Sequence, residues 1–371
     1  EFREEETPIN PVFTVADGLF WLRQHREGDG RVRKLEVSKL RGGAELPGRH
    51  VYRIGDDGVR VYPRRIEELD PVEGREAAPG RVSLGVPTLD ELMGGGACRG
   101  DAVVVSGPSG CGKSILATQF VGEGLTQGET CVVALFEEGR ERYLERSDEL
   151  GLDLREAEED GRLRLLVREA LDLSVDETFE DIRDAVEELG ATRVVVDSLS
   201  GLQVVAAGSE AKRLRQAMSR VVRTLVRAGV TVVLTAELHQ HMDELRFTPY
   251  ESSFLADDIV LMRYVEIRGE LQSALSIIKM RRSSHSRAFH RYGITDSGIV
   301  IGEPLENLRG ILTGVPDIGD VHAPRDPEGW EEVERNHGEA DGEGADDAPE
   351  AGEGEGRTRA GDVTSDDGEA E

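Results

Sequence analysis

The feature of this sequence with the clearest chemistry is a glycine-rich loop that carries a lysine and a hydroxyl group. Gly-Pro-Ser-Gly-Cys-Gly-Lys-Ser occupies residues 107–114, between an apolar run at 102–105 and a helical pattern at 115–120. Such a loop between a strand and a helix turns backbone N–H groups towards phosphate oxygens, the lysine reaches the β and γ oxygens, and the Ser hydroxyl binds Mg²⁺. The sequence therefore predicts a nucleoside triphosphate and Mg²⁺ as ligands. The predicted binding residues are Gly107, Ser109, Gly110, Cys111, Gly112, Lys113, Ser114 and Ile115.

Three carboxylates follow other predicted strands. Asp197 ends the apolar run at 194–196, where a P-loop enzyme holds Mg²⁺ and water. Asp-Ser after a strand is also a common helix cap, but the P-loop favours the metal role. Glu137 and Glu138 follow the predicted strand at 130–136. A carboxylate at that sheet edge can orient or deprotonate a nucleophile, and the alternative is a solvated loop.

The elements that must position these residues alternate along the chain. Runs at 102–106, 130–136, 193–197 and 230–236 are apolar on both faces, as parallel strands covered by helices are. The pattern at about 210–227 predicts a helix with one apolar stripe. That stripe consists of Leu214, Met218, Val221, Val222 and Leu225. The predicted fold class is α/β, with a mainly parallel, helix-covered sheet.

Charge and hydropathy restrict the classes of partner. The chain has 371 residues, enough for about two domains, and a formal net charge of −29. A surface this negative repels phosphate backbones and anionic membranes, so nucleic acid is an unfavoured partner. No apolar run approaches the roughly 18 residues of a spanning helix, and the N-terminus lacks an apolar signal region. We expect a cytoplasmic protein.

The C-terminal segment differs in composition from the rest. Residues 313–371 are rich in Gly, Glu, Asp and Ala, with few large apolar side chains. Such a segment cannot bury enough surface to order itself, so we predict a disordered acidic tail, with a docking arm for a partner as the alternative. The three cysteines, Cys98, Cys111 and Cys131, form no CxxC pair, which argues against a disulfide scaffold or a zinc site.

An internal repeat divides the remaining chain. A shift of 240 residues aligns matching residues without gaps, namely Lys39 with Lys279, Arg41 with Arg281, His50 with His290, Ile54 with Ile294, Asp56 with Asp296 and Gly58 with Gly298. Residues 1–65 are therefore predicted to be the C-terminal remnant of a preceding domain of the same kind. Residues 66–80 would be a linker and 81–312 a complete domain. A fragment and a degenerate duplication both fit this pattern.

Several motifs together resemble the KaiC domain of the RecA-like P-loop ATPases. They are Gly-Val-Pro-Thr-Leu-Asp-Glu-Leu at 85–92, Gly-Gly-Gly at 94–96, the P-loop, Phe-Glu-Glu at 136–138 and Val-Asp-Ser-Leu-Ser at 196–200. Residues 264–270 and Lys-Met-Arg at 279–281 resemble the C-terminal, autokinase-type domain of the clock members of this family. Residues 13–64 resemble the end of the preceding domain. The resemblance covers about 300 residues.

This resemblance implies a RecA-like fold and a homo-hexameric ring with ATP and Mg²⁺ between subunits. Glu137, beside Glu138, matches the family's catalytic base, and Lys279 and Arg281 match residues that reach the neighbour's γ-phosphate. Neutralising phosphate oxygens in this way is sound chemistry for phosphoryl transfer. His285 matches a further nucleotide contact, and Glu45 occupies its place in the first copy.

The sequence also departs from the family pattern. Ser253-Phe254 stands where the clock members have an adjacent Ser-Thr phosphorylation pair, and Leu150 stands at the position of an adenine-stacking Trp. Ser253 is the candidate phosphosite. The alternative is that Ser252 and Ser253 bond backbone groups in a turn after a proline.

These observations predict that the chain is an ATPase that forms rings. They also predict a regulatory or signalling role with an unidentified protein partner. They leave open serine/threonine autokinase activity. The alternatives are a recombinase-like DNA-binding ATPase on the same fold and a nucleotide-dependent interaction scaffold. Two minor hypotheses are a metal site at His239, His241 and Asp243 and redox sensitivity through Cys111.

Overall fold

A computed structural model of the chain describes residues 12–27, 30–63, 80–168, 175–200, 209–238, 256–267 and 269–305, with the short stretches 308–309 and 317–318. The chain divides into a compact unit, Glu1–Pro327, and a second unit, Glu328–Glu371. The second unit lies outside the described residues. Of the predicted acidic tail, residues 313–371, the structure describes Asp317–Ile318, which form a short strand paired with Leu308–Arg309. Disorder in the rest of the tail stays a prediction.

A nine-stranded sheet forms the centre of the first unit. Its parallel strands are β7 (Ala102–Gly107), β8 (Cys131–Leu135), β9 (Leu163–Val167), β10 (Arg193–Asp197), β11 (Thr231–Glu237) and β12 (Asp258–Ile267). Its antiparallel extension consists of β13 (Glu270–Met280), β14 (His290–Thr295) and β15 (Gly298–Pro304). The strand order is β15-β14-β13-β12-β7-β11-β10-β8-β9.

The described helices precede, connect or cover these strands. They are α1 (Val12–Val15), α2 (Pro87–Leu92), α3 (Lys113–Thr126), α4 (Arg140–Glu149), α5 (Leu154–Glu159), α6 (Val175–Leu189) and α7 (Ser209–Arg227). The helix predicted at about 210–227 is α7. There are also two short ladders, β5 (Arg81–Val82) with β6 (Ala97–Cys98) and β16 (Leu308–Arg309) with β17 (Asp317–Ile318).

Helices cover both faces of the sheet. Val103 of β7 belongs to a buried cluster with Phe120 of α3. Val104, which points to the opposite face, belongs to a second cluster with Ile182 of α6 and Val222 of α7. Every residue of β7 is buried, which explains the continuous apolar run in its sequence. The predicted α/β class with a mainly parallel sheet is confirmed.

A separate four-stranded antiparallel sheet precedes the nine-stranded sheet in the chain. Its strands, in spatial order, are β1 (Gly18–Glu27), β2 (Gly30–Leu40), β3 (Arg49–Gly55) and β4 (Gly58–Tyr62). They lie 240 residues before β12 to β15. The register irregularity between Leu19 and Phe20 recurs between Ile259 and Val260. The N-terminal sheet and the meander formed by β12 to β15 therefore share strand order and bulge position, and the first two strands of each have 10 and 11 residues.

Ion pairs join this N-terminal sheet to α6. Arg53 Nε lies 2.7 Å from Glu177 Oε2, and Arg60 Nη2 lies 3.0 Å from Asp184 Oδ2. Burial raises the pKa of Tyr62, and the charge of Glu177 raises it further. In the described part of the chain, no helix combines the length and hydropathy needed to cross a membrane. The cytoplasmic location stays a prediction.

Candidate active site

The glycine-rich loop at residues 107–114 connects β7 directly to α3. Gly112 is the N-cap of α3 and has a left-handed φ of 93°, a conformation that side chains with Cβ rarely adopt. A Cβ on Gly107 would lie 2.4 Å from the backbone oxygen of Met262. The backbone conformation therefore requires glycine at position 112, and close packing against β12 requires it at position 107.

The two side chains predicted to act on phosphate and metal begin α3. Lys113 Nζ donates to the backbone oxygen of Pro108 at 2.6 Å, so the ammonium group folds back over the loop. Ser114 is half-buried on the first turn. A phosphate in the loop would offer Lys113 a charged acceptor in place of a carbonyl, and charge-assisted hydrogen bonds are stronger.

A tyrosine from the antiparallel extension supports the loop. The hydroxyl of Tyr292 on β14 donates to the backbone oxygen of Cys111 at 2.6 Å. Burial raises the pKa of the Cys111 thiol, and the charge of Lys113 only partly opposes this shift. A buried thiol with a raised pKa is poorly reactive, which disfavours the redox hypothesis for Cys111.

Asp197 lies at the carboxyl end of β10 and is 7% exposed. Thr235 of the neighbouring strand β11 donates its hydroxyl hydrogen bond to Asp197 Oδ1. This bond orients the carboxylate without neutralising it. A buried carboxylate and the Ser114 hydroxyl are hard oxygen donors, and Mg²⁺ prefers one or two such protein ligands beside phosphate oxygens. These residues fit Mg²⁺, although the described residues contain no cluster of three or more candidate ligands.

The adjacent carboxylates Glu137 and Glu138 have different environments. Ser198 donates its hydroxyl hydrogen bond to Glu137 Oε1, and Glu137 is exposed. Glu138 forms a two-pronged ion pair with Arg146 of α4, with N···O distances of 2.5 and 2.6 Å. Burial lowers the pKa of Arg146, but the pairing with Glu138 outweighs this effect and raises it. Glu138 is therefore held by a cation, whereas Glu137 faces solvent.

Parallel strand order brings the P-loop, Asp197 and Glu137 to one edge of the sheet. β7, β10 and β8 run in the same direction, separated only by β11 between the first two. The loop, Asp197 and Glu137 each follow or end one of these strands, so all three lie at the carboxyl edge.

Lys279 and Arg281 lie at the opposite edge. They flank Met280, which pairs with Asp258, and Asp258 also pairs with Val103 near the start of β7. Val103 and Gly107 are four residues apart, about 13 Å along a strand. Within one subunit the structure therefore does not bring the Lys-x-Arg pair to the loop.

The contacts of this pair are within its own chain. Lys279 Nζ donates to the backbone oxygen of Ala256 at 2.5 Å, and Arg281 Nη1 lies 3.4 Å from Asp257 Oδ1. His285 follows in the loop after β13, and its Nδ1 has no hydrogen-bond partner among the described residues. Ser253, His239, His241 and Asp243 lie outside the described residues.

Sequence reasoning missed several residues of this site. Thr235 contacts Asp197 from 38 residues away in sequence, and Tyr292 contacts the Cys111 carbonyl from 181 residues away. Arg146 contacts Glu138 from eight residues away, on the following helix α4. Tyr264 also lies against the loop, since its hydroxyl is 3.3 Å from the position that a Cβ on Gly110 would occupy. Ser198 alone had a local signal, since it directly follows Asp197.

Comparison with known proteins assigns the family. Residues 82–306 match the model of the KaiC ATPase. The chain is 32% identical over 302 residues to the circadian clock oscillator protein KaiC of Rippkaea orientalis, covering 81% of this chain and 57% of the relative. It is 30% identical to the KaiC of Picosynechococcus and 31% identical to KaiC 1 of Synechocystis, with the same coverage. The chain thus spans just over half of the length of these curated relatives.

Proposed function

Because the chain belongs to the KaiC family of ATPases, we propose that it binds Mg-ATP in the loop at residues 107–114 and hydrolyses it with Glu137 as general base. The observation that carries this proposal is the meeting of the loop, Asp197 and Glu137 at one sheet edge. Phosphoryl transfer depends mainly on positioning and charge neutralisation, and this edge supplies both.

Each residue has a separate task in this mechanism. The loop N–H groups and the Lys113 ammonium bind the phosphates and stabilise the charge that develops on the γ-phosphoryl oxygens. Glu137 accepts the proton of the attacking water, and Ser198 holds the carboxylate in place through its hydrogen bond. Ser114 and Asp197 would hold Mg²⁺, which neutralises phosphate oxygens when bound. Glu138 positions α4 through Arg146.

We further propose that the complete site forms between subunits of a homo-hexameric ring. Lys279 and Arg281 lie at the sheet edge opposite their own loop, so they reach a γ-phosphate only if it belongs to a neighbour. In a ring of subunits in the same orientation, the loop edge of one subunit faces a different surface of the next. The proposed ring rests on the family likeness and on this geometry, and the proposed regulatory or signalling role with a protein partner rests on the family likeness alone.

The N-terminal sheet supports the proposal that residues 1–65 are the end of a preceding KaiC-like domain. One of its faces carries exposed apolar side chains. They are Phe20, Leu22, Ile54, Val59 and Val61, which are 55%, 61%, 58%, 61% and 38% exposed.

The equivalent face of the second meander is buried. Val260, Met262, Ile299 and Ile301, at the positions of Phe20, Leu22, Val59 and Val61, belong to the core cluster that contains α3. This difference supports the proposal that the exposed apolar face of the N-terminal sheet packs against a P-loop helix of the preceding domain. Upstream coding sequence with a second GxxxxGK[ST] about 240 residues before Lys113 would support this domain assignment, and an unrelated upstream sequence would contradict it.

Phosphate release from ATP by the purified chain tests the proposed activity. We expect turnover that requires Mg²⁺ and stops on chelation. Turnover without Mg²⁺ dependence, or none in any oligomeric state, contradicts the proposal. DNA retention that weakens with salt would instead favour the recombinase-like alternative, and nucleotide binding without turnover would favour the scaffold.

A further inference from the structure

The two adjacent glutamates of the site differ in how their oxygens are engaged. The guanidinium of Arg146 binds both carboxylate oxygens of Glu138, at 2.5 and 2.6 Å, and these two side chains are only 20% and 14% exposed. Glu137 is exposed, and Ser198 donates to one of its oxygens, Oε1. A carboxylate oxygen that accepts a charge-assisted hydrogen bond is a weaker proton acceptor, because the bond stabilises its ionised form. Both oxygens of Glu138 are in that state.

The Arg146–Glu138 pair lies against the helix that carries the phosphate and metal residues. Arg146 Nη2 is 3.5 Å from the hydroxyl of Thr118 on α3. That hydroxyl donates to the backbone oxygen of Ser114, a proposed Mg²⁺ ligand, at 2.8 Å. Glu138 therefore belongs to the same site as Glu137, and its pairing with Arg146 is what separates the chemistry of the two carboxylates.

The attachment of α4 to the rest of the domain does not depend on Arg146 alone. Tyr143 and Leu144 of the same helix are buried in the core cluster, 1% and 0% exposed. Two further ion pairs join α4 to α5, with N···O distances of 2.7 and 3.0 Å, namely Arg140–Glu158 and Arg155–Glu141. We therefore expect α4 to keep its place when Arg146 is replaced.

We propose that Arg146 selects the general base, by holding Glu138 out of the reaction so that Glu137 alone accepts the proton of the attacking water. Without the guanidinium, Glu138 becomes a second carboxylate that can accept a proton in the same site. The proton of the water then passes to a Glu138 oxygen, while the water oxygen bonds to the γ-phosphorus and the bond to ADP breaks. Arg146 is a positioning residue that acts through Glu138. The kinetic part of this inference rests on the proposed hydrolysis.

The first arm of the test measures the availability of Glu138 and needs no ATP turnover. Carbodiimide-activated amidation labels accessible carboxylates, and fragmentation in the mass spectrometer separates adjacent residues. We expect Arg146→Gln to raise the labelling rate of Glu138 severalfold and to leave that of Glu137 unchanged. Arg142→Gln makes the same change at an exposed position of α4 and should alter neither rate. An unchanged rate for Glu138, or an equal rise at both glutamates, overturns the proposal.

The second arm asks whether the released carboxylate replaces Glu137 in catalysis. Glu137→Gln should be nearly inactive. Addition of Arg146→Gln to that variant should raise its turnover about tenfold or more, because a second base takes over the proton. Damage to the fold cannot produce such a gain. Addition of Arg142→Gln instead is the matched control and should leave turnover at the level of Glu137→Gln.

A third substitution identifies the base that restores turnover. Addition of Glu138→Gln to the Glu137→Gln/Arg146→Gln variant should abolish the recovered activity. Recovery that survives this change overturns the proposal, and so does absence of recovery in a double variant that is folded by circular dichroism and binds ATP by calorimetry. Absence of turnover in the wild type would count against the proposed hydrolysis alone, and the labelling arm still decides whether Arg146 withholds Glu138.

Discussion

Tyr292 and Cys111, 181 residues apart in sequence, are joined by a hydrogen bond from the tyrosine hydroxyl to the cysteine backbone oxygen at 2.6 Å. The bond ties the antiparallel extension to the middle of the phosphate-binding loop. Since Tyr292 is 1% exposed, water cannot replace its hydroxyl without rearrangement. The outer strands therefore help to keep the loop in its binding conformation.

Tyr292→Phe should weaken ATP binding severalfold and destabilise the fold by about 1 to 3 kcal/mol, because it leaves the Cys111 carbonyl buried and unpaired. Calorimetric titration and chemical denaturation measure the two effects. Tyr52→Phe makes the same change at the equivalent position of the first copy, and should leave ATP affinity intact. Equal effects of both substitutions on affinity would argue against support of the loop by Tyr292.

Lys113→Ala should remove most Mg-ATP binding, a loss of about a hundredfold or more in affinity, because a charge-assisted contact to phosphate oxygens disappears. Calorimetry on the folded variant measures this loss. Lys34→Ala on β2 is the control and should bind as wild type does. Unchanged affinity in Lys113→Ala would show that the loop is not the nucleotide site.

Substitution of the two adjacent glutamates should separate catalysis from stability. Glu137→Gln removes the proposed base, so kcat should fall about 10²- to 10⁴-fold with little change in ATP affinity. Glu138→Gln leaves the half-buried Arg146 without its carboxylate and should cost about 2 to 4 kcal/mol of stability. Single-turnover kinetics and denaturation curves measure these effects. The reverse assignment of the two phenotypes would identify Glu138 as the base.

Mixing two inactive variants tests hydrolysis across a subunit boundary. Lys113→Ala and Arg281→Ala should each be nearly inactive, but mixed rings contain interfaces in which one subunit supplies an intact loop and its neighbour an intact Arg281. We expect the mixture to recover part of the wild-type turnover. If mass spectrometry confirms mixed rings and no activity returns, catalysis does not use Arg281 in this way.

Autophosphorylation should be limited to a single site if it occurs, because Phe254 removes the second hydroxyl of the pair. Incubation with labelled ATP and peptide mapping should place phosphate on Ser253, with Ser252 as the competitor, and Glu137→Gln should abolish the label. ATP turnover without covalent label would identify an ATPase whose only acceptor is water.

The nucleotide-binding loop, the parallel core strands and the edge carrying Asp197 and Glu137 could be predicted from the sequence. The reason is that these features are local. A glycine-rich turn between a strand and a helix needs only neighbouring residues, and parallel strands place their carboxyl ends at one edge whatever their order. The repeat was also visible, because it depends on residue identity at a constant spacing.

Contacts between distant residues were decided by the tertiary structure. Strand order puts β12 beside β7, and the antiparallel return of β13 places Lys279 at the sheet edge opposite its own subunit's loop. Packing of α4 gives Glu138 an arginine partner and leaves Glu137 exposed, although the two have the same side chain. Likewise, Val59 and Ile299 occupy equivalent positions in the repeat, yet one is exposed and the other buried. Burial depends on whether a helix packs over the strand, and a strand's own residues do not contain that information.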